Sequence, residues 1–319
     1  MSSEQKAATV VLCPGQGAQA VNMGRAWAEA SAAARAVFEE ADALLAADLG
    51  SSLTSIMFDG PTDRLNQTNV SQPAIYACSV ACFRGMAEVD GELPVVATAG
   101  LSLGEYTALH LAGAFDFATG LRLVARRGAL MQAAAEASQG SMVALIGATD
   151  EQADAVCDEA RGDDVLIPAN YNAPGQIVIS GSAAACDRAV EVAAAHELRA
   201  TALAVAGAFH SPLMDPAAAA MGEVLAEADI SAPERPVWSN VTGAAHVADD
   251  LELLRRRLVE QIVQPVRWAQ GCQDLIEKAP ALAGDPDTLS WHELAPGSTL
   301  RGLMRRIDRS TKVTSHDQP

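Results

Sequence analysis

The stretch GLSLGEYTAL, residues 100–109, decides the fold. It follows the apolar run PVVATAG (94–100), which predicts a buried strand, and it opens a helical pattern over 105–112. Its first five residues match the GxSxG pattern, in which a strand turns sharply into a helix with a serine at the apex. Neighbouring Cβ atoms would collide at such a turn, so glycine is favoured on both sides. The pattern predicts Ser102 as a nucleophile, and the alternative is an ordinary glycine-rich turn.

Apolar runs alternate with helical patterns along the rest of the chain, which predicts an α/β fold with a parallel sheet covered by helices. Over 140–206 the order of predicted elements is βαββαβ, the order of a ferredoxin-like unit, and another α/β pattern resumes at 207. We therefore predict a large subdomain formed by residues 1–139 and 207–319. The small ferredoxin-like subdomain of residues 140–206 is inserted into it.

Several local predictions are more specific. Helical patterns cover 23–45 and 72–88, and the run RATALAVAG predicts a strand over 199–207. The stretch APALAGDPDT (279–288) predicts a loop, because it collects Pro, Gly and Asp. The polar tail from Ser310 predicts a frayed end.

The composition argues against several classes of protein. The 319 residues carry a net charge of −18, which argues against binding to nucleic acid. No apolar stretch reaches the length of a membrane span, and the start of the chain lacks a signal-peptide pattern, so we expect a cytoplasmic protein without a membrane contact. The six cysteines form no CxxC pair, which predicts reduced thiols and no metal site.

A serine hydroxyl needs a base before it can attack, and one histidine is well placed to act as one. His210 ends the strand-like run ALAVAGAF at the edge of a loop, where a catalytic group can face a cleft. The other histidines have structural interpretations, in a helix, at a helix end, in a polar loop, in a short strand and in the tail: His110, His196, His246, His292 and His316. Asp215 is a candidate for a third triad member by proximity alone.

A set of motifs resembles the malonyl-CoA:acyl-carrier-protein transacylase family and the related acyltransferase domains of polyketide synthases. They follow the family's order and spacing over nearly the whole chain: PGQGAQ (14–19), SQPAIYA (71–77), GLSLGEYTAL (100–109), RGALMQ (127–132), IPANYNAPGQIVISG (167–181), GAFHSPLM (207–214), SNVTG (239–243), QPVRW (264–268) and LAPGSTLRGLMRRI (294–307). The resemblance implies an α/β-hydrolase-like core with an inserted ferredoxin-like subdomain, which agrees with the patterns above.

The resemblance also implies a reaction and roles for individual residues. A malonyl group would pass from malonyl-CoA through a malonyl-serine to the phosphopantetheine thiol of acyl carrier protein. Ser102 would be the nucleophile, His210 the base, and Arg127 the arginine that grips the free carboxylate of malonate. The backbone N–H groups of Gln16 and Leu103 would form the oxyanion hole.

Further positions are carried over in the same way. Gln261 matches the glutamine that helps to place the substrate, and Phe209 and Met131 are expected in the substrate pocket. A phenylalanine at position 209 resembles the malonyl-selective branch of the family. Asn170 and Asn172 match the family's small-subdomain loop, where we assign them a structural role at the cleft. No cofactor or metal is implied, because the CoA thioester is itself a substrate.

Two departures from the family's motifs stand out. Leu101 precedes the nucleophile where the family usually has histidine, and LAPG (294–297) stands where VGPG is usual. The residue before Ser102 on the elbow points elsewhere, so we expect the first departure to affect the pocket and not the reaction.

The charge distribution suggests where a partner protein binds, and the same serine motif is compatible with two other functions. We expect acyl carrier protein, which is acidic, to dock on an arginine-rich patch that comprises Arg122, Arg126 and the arginines of 301–309, and we expect a monomer. A serine thioesterase or esterase would use the same elbow, and a scaffold subunit would keep the fold without activity. The sequence leaves open whether fatty acid or polyketide synthesis uses the product.

Overall fold

A computed structural model describes residues 7–91, 93–284 and 289–319, and its strands form two separate sheets. The larger sheet is parallel, in the order β7-β2-β1-β8-β9, and consists of β1 (Thr9–Cys13), β2 (Val95–Gly100), β7 (Val237–Trp238), β8 (Ser290–Leu294) and β9 (Val313–His316). β1 lies between β2 and β8 and is parallel to both. Loops after β1 and β2 therefore meet at the carboxyl edge, where open α/β sheets hold their sites.

Helices cover both faces of this sheet. They are α1 (Arg25–Ala30), α2 (Ala32–Leu49), α3 (Leu53–Asp59), α4 (Thr62–Leu65), α5 (Thr68–Asp90), α6 (Gly104–Leu111), α7 (Phe117–Ser138), α10 (Asp215–Glu227), α11 (Leu251–Val263), α12 (Trp268–Ala283) and α13 (Thr299–Ile307). Side chains alternate along β1, so Val11 and Cys13 join the core around α5 and α7, whereas Val10 and Leu12 join the core around α12 and α13. In the described part of the chain, no helix is long and apolar enough to cross a membrane.

The smaller sheet is antiparallel, in the order β4-β5-β3-β6. Its elements are β3 (Gly140–Ile146), α8 (Asp150–Arg161), β4 (Leu166–Ala173), β5 (Gln176–Ser182), α9 (Ala183–Ala195) and β6 (Arg199–Ala202). This is the predicted βαββαβ unit, and the α/β fold class is confirmed. Every strand of this sheet lies within 140–206, and every strand of the parallel sheet lies outside it. The exact subdomain boundaries stay a prediction.

Two predicted helices differ from the structure at their ends. The pattern over 23–45 covers two helices, because Ser31 has extended backbone and its hydroxyl accepts a hydrogen bond from Ala34 N to start α2. Helix α5 begins at Thr68, four residues before the predicted start. The N–H of Thr68 donates to Gln132 Oε1 on α7, so its first turn depends on a partner that is distant in sequence.

Three predictions near the ends of elements are wrong in part. Strand β6 ends at Ala202, because only 199–202 pairs with β3, and the chain then leaves the sheet towards the cleft. Helix α12 extends to Ala283 because its buried face continues through Leu275 and Ala279; residues 285–288 of the predicted loop lie outside the described residues. The tail from Ser310 is not frayed: β9 pairs with β8, and Trp27 Nε1 donates to His316 O at 2.9 Å.

Candidate active site

The backbone around Ser102 forms the sharp turn that the sequence predicts. Ser102 follows β2, precedes α6, and has a φ of 51°, which is rare for a residue with a side chain. A Cβ at Gly100 would lie 1.9 Å from the carbonyl carbon of Gly104, and one at Gly104 would lie 2.1 Å from Cys13 O. Glycine is therefore required at both positions by contacts with backbone atoms, which cannot move aside. The serine lies at the base of a cleft and is 8% exposed.

His210 completes a hydrogen-bonded pair with the serine. Its Nε2 lies 2.8 Å from Ser102 Oγ, and its Nδ1 lies 2.7 Å from the backbone oxygen of Gln261. A carbonyl can only accept, so Nδ1 carries the proton and Nε2 accepts from the serine hydroxyl. The candidate third acid, Asp215, is not used here: it opens α10, and a backbone carbonyl holds the imidazole instead.

Burial keeps the imidazole of His210 neutral. The pKa of His210 is lowered to about 4: burial is the largest cause, the nearby charge of Arg127 acts in the same direction, and the hydrogen bond to Gln261 partly opposes both. A neutral imidazole with a free Nε2 is the form that can remove a proton from Ser102. A negative group that neutralised Arg127 would raise the pKa of His210 and strengthen it as a base.

Arg127 reaches the same point from α7. Its Nη2 donates to Ser102 Oγ at 3.2 Å and to Gln261 Oε1 at 2.9 Å, and its Nη1 donates to Gln72 Oε1 at 2.8 Å. The residue is 1% exposed, and burial lowers the pKa of its guanidinium. The guanidinium also lies 5.6 Å from the ring centre of Tyr106. These contacts hold a positive charge beside the nucleophile, and no acidic side chain among the described residues forms an ion pair with the guanidinium.

The loops at the site offer two backbone N–H groups as hydrogen-bond donors, those of Gln16 and Leu103. Ser102 N is occupied, since it donates to Asn240 Oδ1 at 2.5 Å. Within the described part of the chain, the N–H groups of Gln16 and Leu103 make no hydrogen bond. Gln16 follows β1, Leu103 precedes α6, and both loops end at the carboxyl edge of the sheet. Free N–H groups at this position can receive a developing oxyanion.

The chain is similar to known acyl transferases over most of its length. The family described as "Acyl transferase domain" matches residues 10–285. Malonyl CoA-acyl carrier protein transacylase of Bacillus subtilis (strain 168) is 37% identical over 310 residues, which cover 97% of this chain and 93% of that relative. The chain belongs to this acyl transferase family. The family assignment made from the motifs is thereby confirmed.

Solved structures of the acyl transferase family match over the same length. The malonyl CoA-acyl carrier protein transacylase from Coxiella burnetii superimposes with a TM-score of 0.89 at 33% identity, covering 98% of this chain and 95% of that one. A second match is a chain in the structure of a type II PKS acyl-carrier protein in complex with its malonyl-transacylase. The TM-score is 0.89 at 35% identity, covering 98% of this chain and 96% of that one. The fold of this acyl transferase is therefore shared from end to end.

A cleft of about 400 Å³ opens above Ser102, between the two sheets of this acyl transferase. Met131 and Phe209 line it, as expected for pocket residues. Asn170 and Asn172 also line it, but they lie on strand β4 and not on a loop. The wall also includes Leu101 and Gln16, with the apolar residues Met142, Val178, Leu203 and Val205. The lining thus combines polar and charged residues with apolar ones.

Most of the remaining histidines of the acyl transferase lie apart from the site. His110 bonds to Phe115 O, His196 pairs with Glu159 on the surface, and His292 stacks on His316. His246 lies in a loop, as predicted, but its side chain is buried. Its side chain is 2% exposed and lies 2.7 Å from Glu105 Oε1, behind the nucleophile. No cluster of three or more His, Cys, Asp or Glu in the described chain could hold a metal ion.

Glu105 and Asn240 belong to the site, although the sequence motifs that contain them gave no role for either residue. The Glu105 carboxylate is fully buried and accepts from Asn240 N and from Gln261 Nε2. The Asn240 side chain holds both Ser102 N and Gly100 O. The available signal was chemical: a glutamate in the first turn of a helix that follows a buried strand needs partners in the interior.

The predicted arginine-rich patch divides into two surfaces. Arg122 and Arg126 are exposed on α7 and line a groove that also contains Asp48. Arg301, Arg305, Arg309 and Lys312 line a second surface along α13, which we call the α13 groove. None of these four cations forms an ion pair with a described residue.

Proposed function

We infer that this chain transfers a malonyl group from malonyl-CoA to the phosphopantetheine thiol of acyl carrier protein through a malonyl-Ser102 intermediate. The observation that carries this inference is the buried guanidinium of Arg127 at 3.2 Å from Ser102 Oγ. A cation beside a nucleophile suits an acyl group that ends in a carboxylate. The names of the relatives point to the same substrate and acceptor.

Acylation uses groups that are already in contact. As Ser102 Oγ attacks the thioester carbon, His210 Nε2 takes the hydroxyl proton and Nδ1 stays bonded to Gln261 O. The negative oxygen of the tetrahedral intermediate receives hydrogen bonds from Gln16 N and Leu103 N. Each such donor typically contributes about 3 kcal/mol to lowering the barrier. The C–S bond then breaks, and the CoA thiolate leaves with the proton from His210.

Deacylation repeats these steps in reverse with the carrier thiol. His210 removes the thiol proton, the sulfur attacks the malonyl-serine carbonyl, and Ser102 leaves with that proton. The chain's own side chains and backbone supply every group, and we propose no cofactor. Arg127 holds the malonyl carboxylate by two hydrogen bonds throughout, while Gln72 and Gln261 fix its guanidinium.

The pocket supports selection for size as well as charge. Phe209 and Met131 line the cleft with Arg127, so the acyl chain has bulky side chains around it. We propose that Phe209 disfavours a branched acyl group such as methylmalonyl, because a branch would need the volume of its ring.

A labelling experiment separates this function from its rivals. The protein is incubated with radiolabelled malonyl-CoA, with and without phosphopantetheinylated carrier protein. Label on Ser102 that moves to the carrier supports transfer. Release of free malonate without a need for the carrier would show a hydrolase, and no label at all would show a scaffold. The variant Ser102→Ala gives the background.

We propose the α13 groove as the main docking surface for the acidic carrier, with Arg122 and Arg126 as a second contact. The groove begins at Ser298, next to Gly297, which lies against Ala18 of the loop that carries Gln16. Its cations are free to pair with acidic side chains. A monomer fits this proposal, because one chain holds the complete site, and we expect it in the cytoplasm beside its carrier.

Charge removal tests the docking surface. The triple alanine variant of Arg301, Arg305 and Arg309 should raise the KM for carrier protein about tenfold, since exposed ion pairs contribute up to about 1 kcal/mol each. The rate of Ser102 acylation by malonyl-CoA should not change. Arg256→Ala is the control, because Arg256 is an exposed arginine on α11. An unchanged KM would refute the α13 groove as the docking site.

A further inference from the structure

A buried pair of ionisable side chains lies directly behind the nucleophile. Glu105 Oε1 is 2.7 Å from His246 Nε2, and the two side chains are 0% and 2% exposed. A buried carboxylate is costly unless hydrogen bonds compensate it. Since the carboxylate accepts, His246 Nε2 is the donor. Neither residue lines the cleft, so neither can touch the acyl group.

Glu105 connects to Arg127, His210 and Ser102, each through one intermediate residue. Its Oε2 accepts from Gln261 Nε2 at 2.6 Å, which leaves Gln261 Oε1 to face Arg127 Nη2. The backbone oxygen of the same glutamine holds His210 Nδ1. If the amide of Gln261 turned over, its NH₂ group would face the Arg127 guanidinium. Glu105, together with the backbone oxygen of Ser102, which accepts from the same Nε2 at 3.0 Å, therefore fixes the one amide orientation that suits the arginine.

The second branch leads to the elbow. Glu105 Oε2 also accepts from Asn240 N at 3.0 Å, and the Asn240 side chain holds Ser102 N at 2.5 Å and Gly100 O at 2.7 Å. Ser102 N is thereby kept away from the reacting carbonyl. Leu103 N remains free to donate to an oxyanion.

We propose that Glu105 and His246 are a positioning pair for acyl transfer: Glu105 orients Gln261 and Asn240, and His246 supplies the donor that holds the buried carboxylate in place. The proposal rests on the proposed function, because it concerns the rate of malonyl-Ser102 formation. It gives the loop after β7, which carries Asn240 and His246, a part in the reaction.

Rapid-quench acylation of Ser102 by malonyl-CoA, normalised to the fraction of reactive sites, tests the pair. His246→Leu removes the donor at similar volume, and His246→Gln returns an amide N–H at similar reach. We expect the maximal acylation rate of His246→Leu to fall at least about tenfold, a modest part of what general-base catalysis contributes. The malonyl-CoA concentration for half-maximal rate should stay within about twofold of the original value, because the cleft is unaltered. His246→Gln should recover most of the rate.

Two further variants make the outcome decisive. Glu105→Gln keeps the volume but replaces one of the two accepting oxygens with an NH₂ group, so at least one of the three donors loses its acceptor. It should show the same split between rate and half-saturation even if His246→Leu does not fold. His196→Leu is the matched control, since His196 pairs with Glu159 at 2.9 Å on the surface. Normalised rates within threefold of the original in both site variants, or equal losses in His246→Gln and His246→Leu, would overturn the proposal. Absence of label on Ser102 in the unaltered protein would instead refute the proposed function.

Discussion

Replacement of Arg127 by alanine is the sharpest test of substrate selection. Arg127 is 1% exposed, and its Nη2 lies 3.2 Å from Ser102 Oγ. The guanidinium can therefore bind a carboxylate that belongs to the acyl group on Ser102. Hydrogen bonds to a charged group contribute about 1.5–3 kcal/mol each, and two of them give at least about 3 kcal/mol to malonyl and none to acetyl. Because about 1.4 kcal/mol corresponds to a factor of ten, the preference for malonyl-CoA over acetyl-CoA should fall at least about 100-fold.

The assay compares acyl-Ser102 formation from the two thioesters, without carrier protein, by quenched flow and intact mass. Arg126→Ala is the control, because Arg126 is the exposed neighbour on α7 and lines a different groove. The preference of Arg126→Ala should match that of the unaltered protein. If Arg127→Ala changed the preference less than tenfold, or slowed both thioesters equally, the carboxylate-binding role would be refuted.

The same variant has an independent readout in its pH profile. The charge of Arg127 is the second cause, after burial, of the low pKa of His210, which is about 4. Its removal should therefore raise that pKa, while burial keeps it below the usual 6.5. The acid limb of acetyl-Ser102 formation should move to higher pH in Arg127→Ala. A limb at the original pH would contradict the electrostatic coupling between the two residues.

Three other predictions concern the scaffold and the base. Gly100→Ala should destabilise the fold by more than about 3 kcal/mol, as seen by urea unfolding, because its Cβ would overlap backbone of α6. Between pH 6.5 and about 4, folded His210 binds fewer protons than unfolded His210, because its pKa is lowered in the folded state. Its contribution to the free energy of unfolding is therefore fully present above pH 6.5 and is lost as the pH falls towards 4. The loss is at most about 1.4 kcal/mol per pH unit. Deletion of 313–319 removes β9 and the acceptor of Trp27, and should cost at least about 2 kcal/mol.

Each of these has a matched control. Gly302→Ala on α13 meets no atom within 4 Å and should stabilise by up to about 1 kcal/mol, so similar losses at both glycines would contradict the steric argument. His210→Gln should make the pH dependence of unfolding shallower, and an unaltered slope would exclude His210 as a cause. Trp27→Phe removes one hydrogen bond and should cost less than the deletion; an equal cost would mean that β9 pairing contributes nothing.

The elbow could be predicted from sequence because its constraint is local. Gly100 is demanded by contacts with the backbone of Gly104 and Glu105 in the same turn, and the serine between the two glycines has few other uses. The contacts that demand Gly104 are with Cys13 and Pro14, but the GxSxG pattern marks this glycine as well. The βαββαβ order was predictable for a similar reason, since each strand and helix carries its own periodicity. Ser102 and His210 were candidates from the local pattern, whereas the role of Arg127 came from the family resemblance, and the distances among the three agree with these roles.

What the sequence could not predict depends on distant partners. His246 and Glu105 are 141 residues apart, and no local pattern distinguishes a buried histidine from one in a polar loop. Strand β9 is short and polar, so it lacks the alternation of a half-buried strand and exists only because β8 offers an unpaired edge. The first turn of α5 likewise depends on Gln132, from another helix.

The carbonyl behind His210 has a consequence for the choice between acceptors. Serine hydrolases commonly place a carboxylate there, whose full negative charge stabilises the imidazolium that forms when water is deprotonated. An amide oxygen offers only a dipole, so the ring is a weaker base and favours nucleophiles that surrender a proton easily. A thiol ionises near pH 8.5, whereas bulk water has a pKa of about 15.7. We therefore expect the dyad to discriminate against hydrolysis by acceptor acidity alone, before any surface of the carrier is engaged.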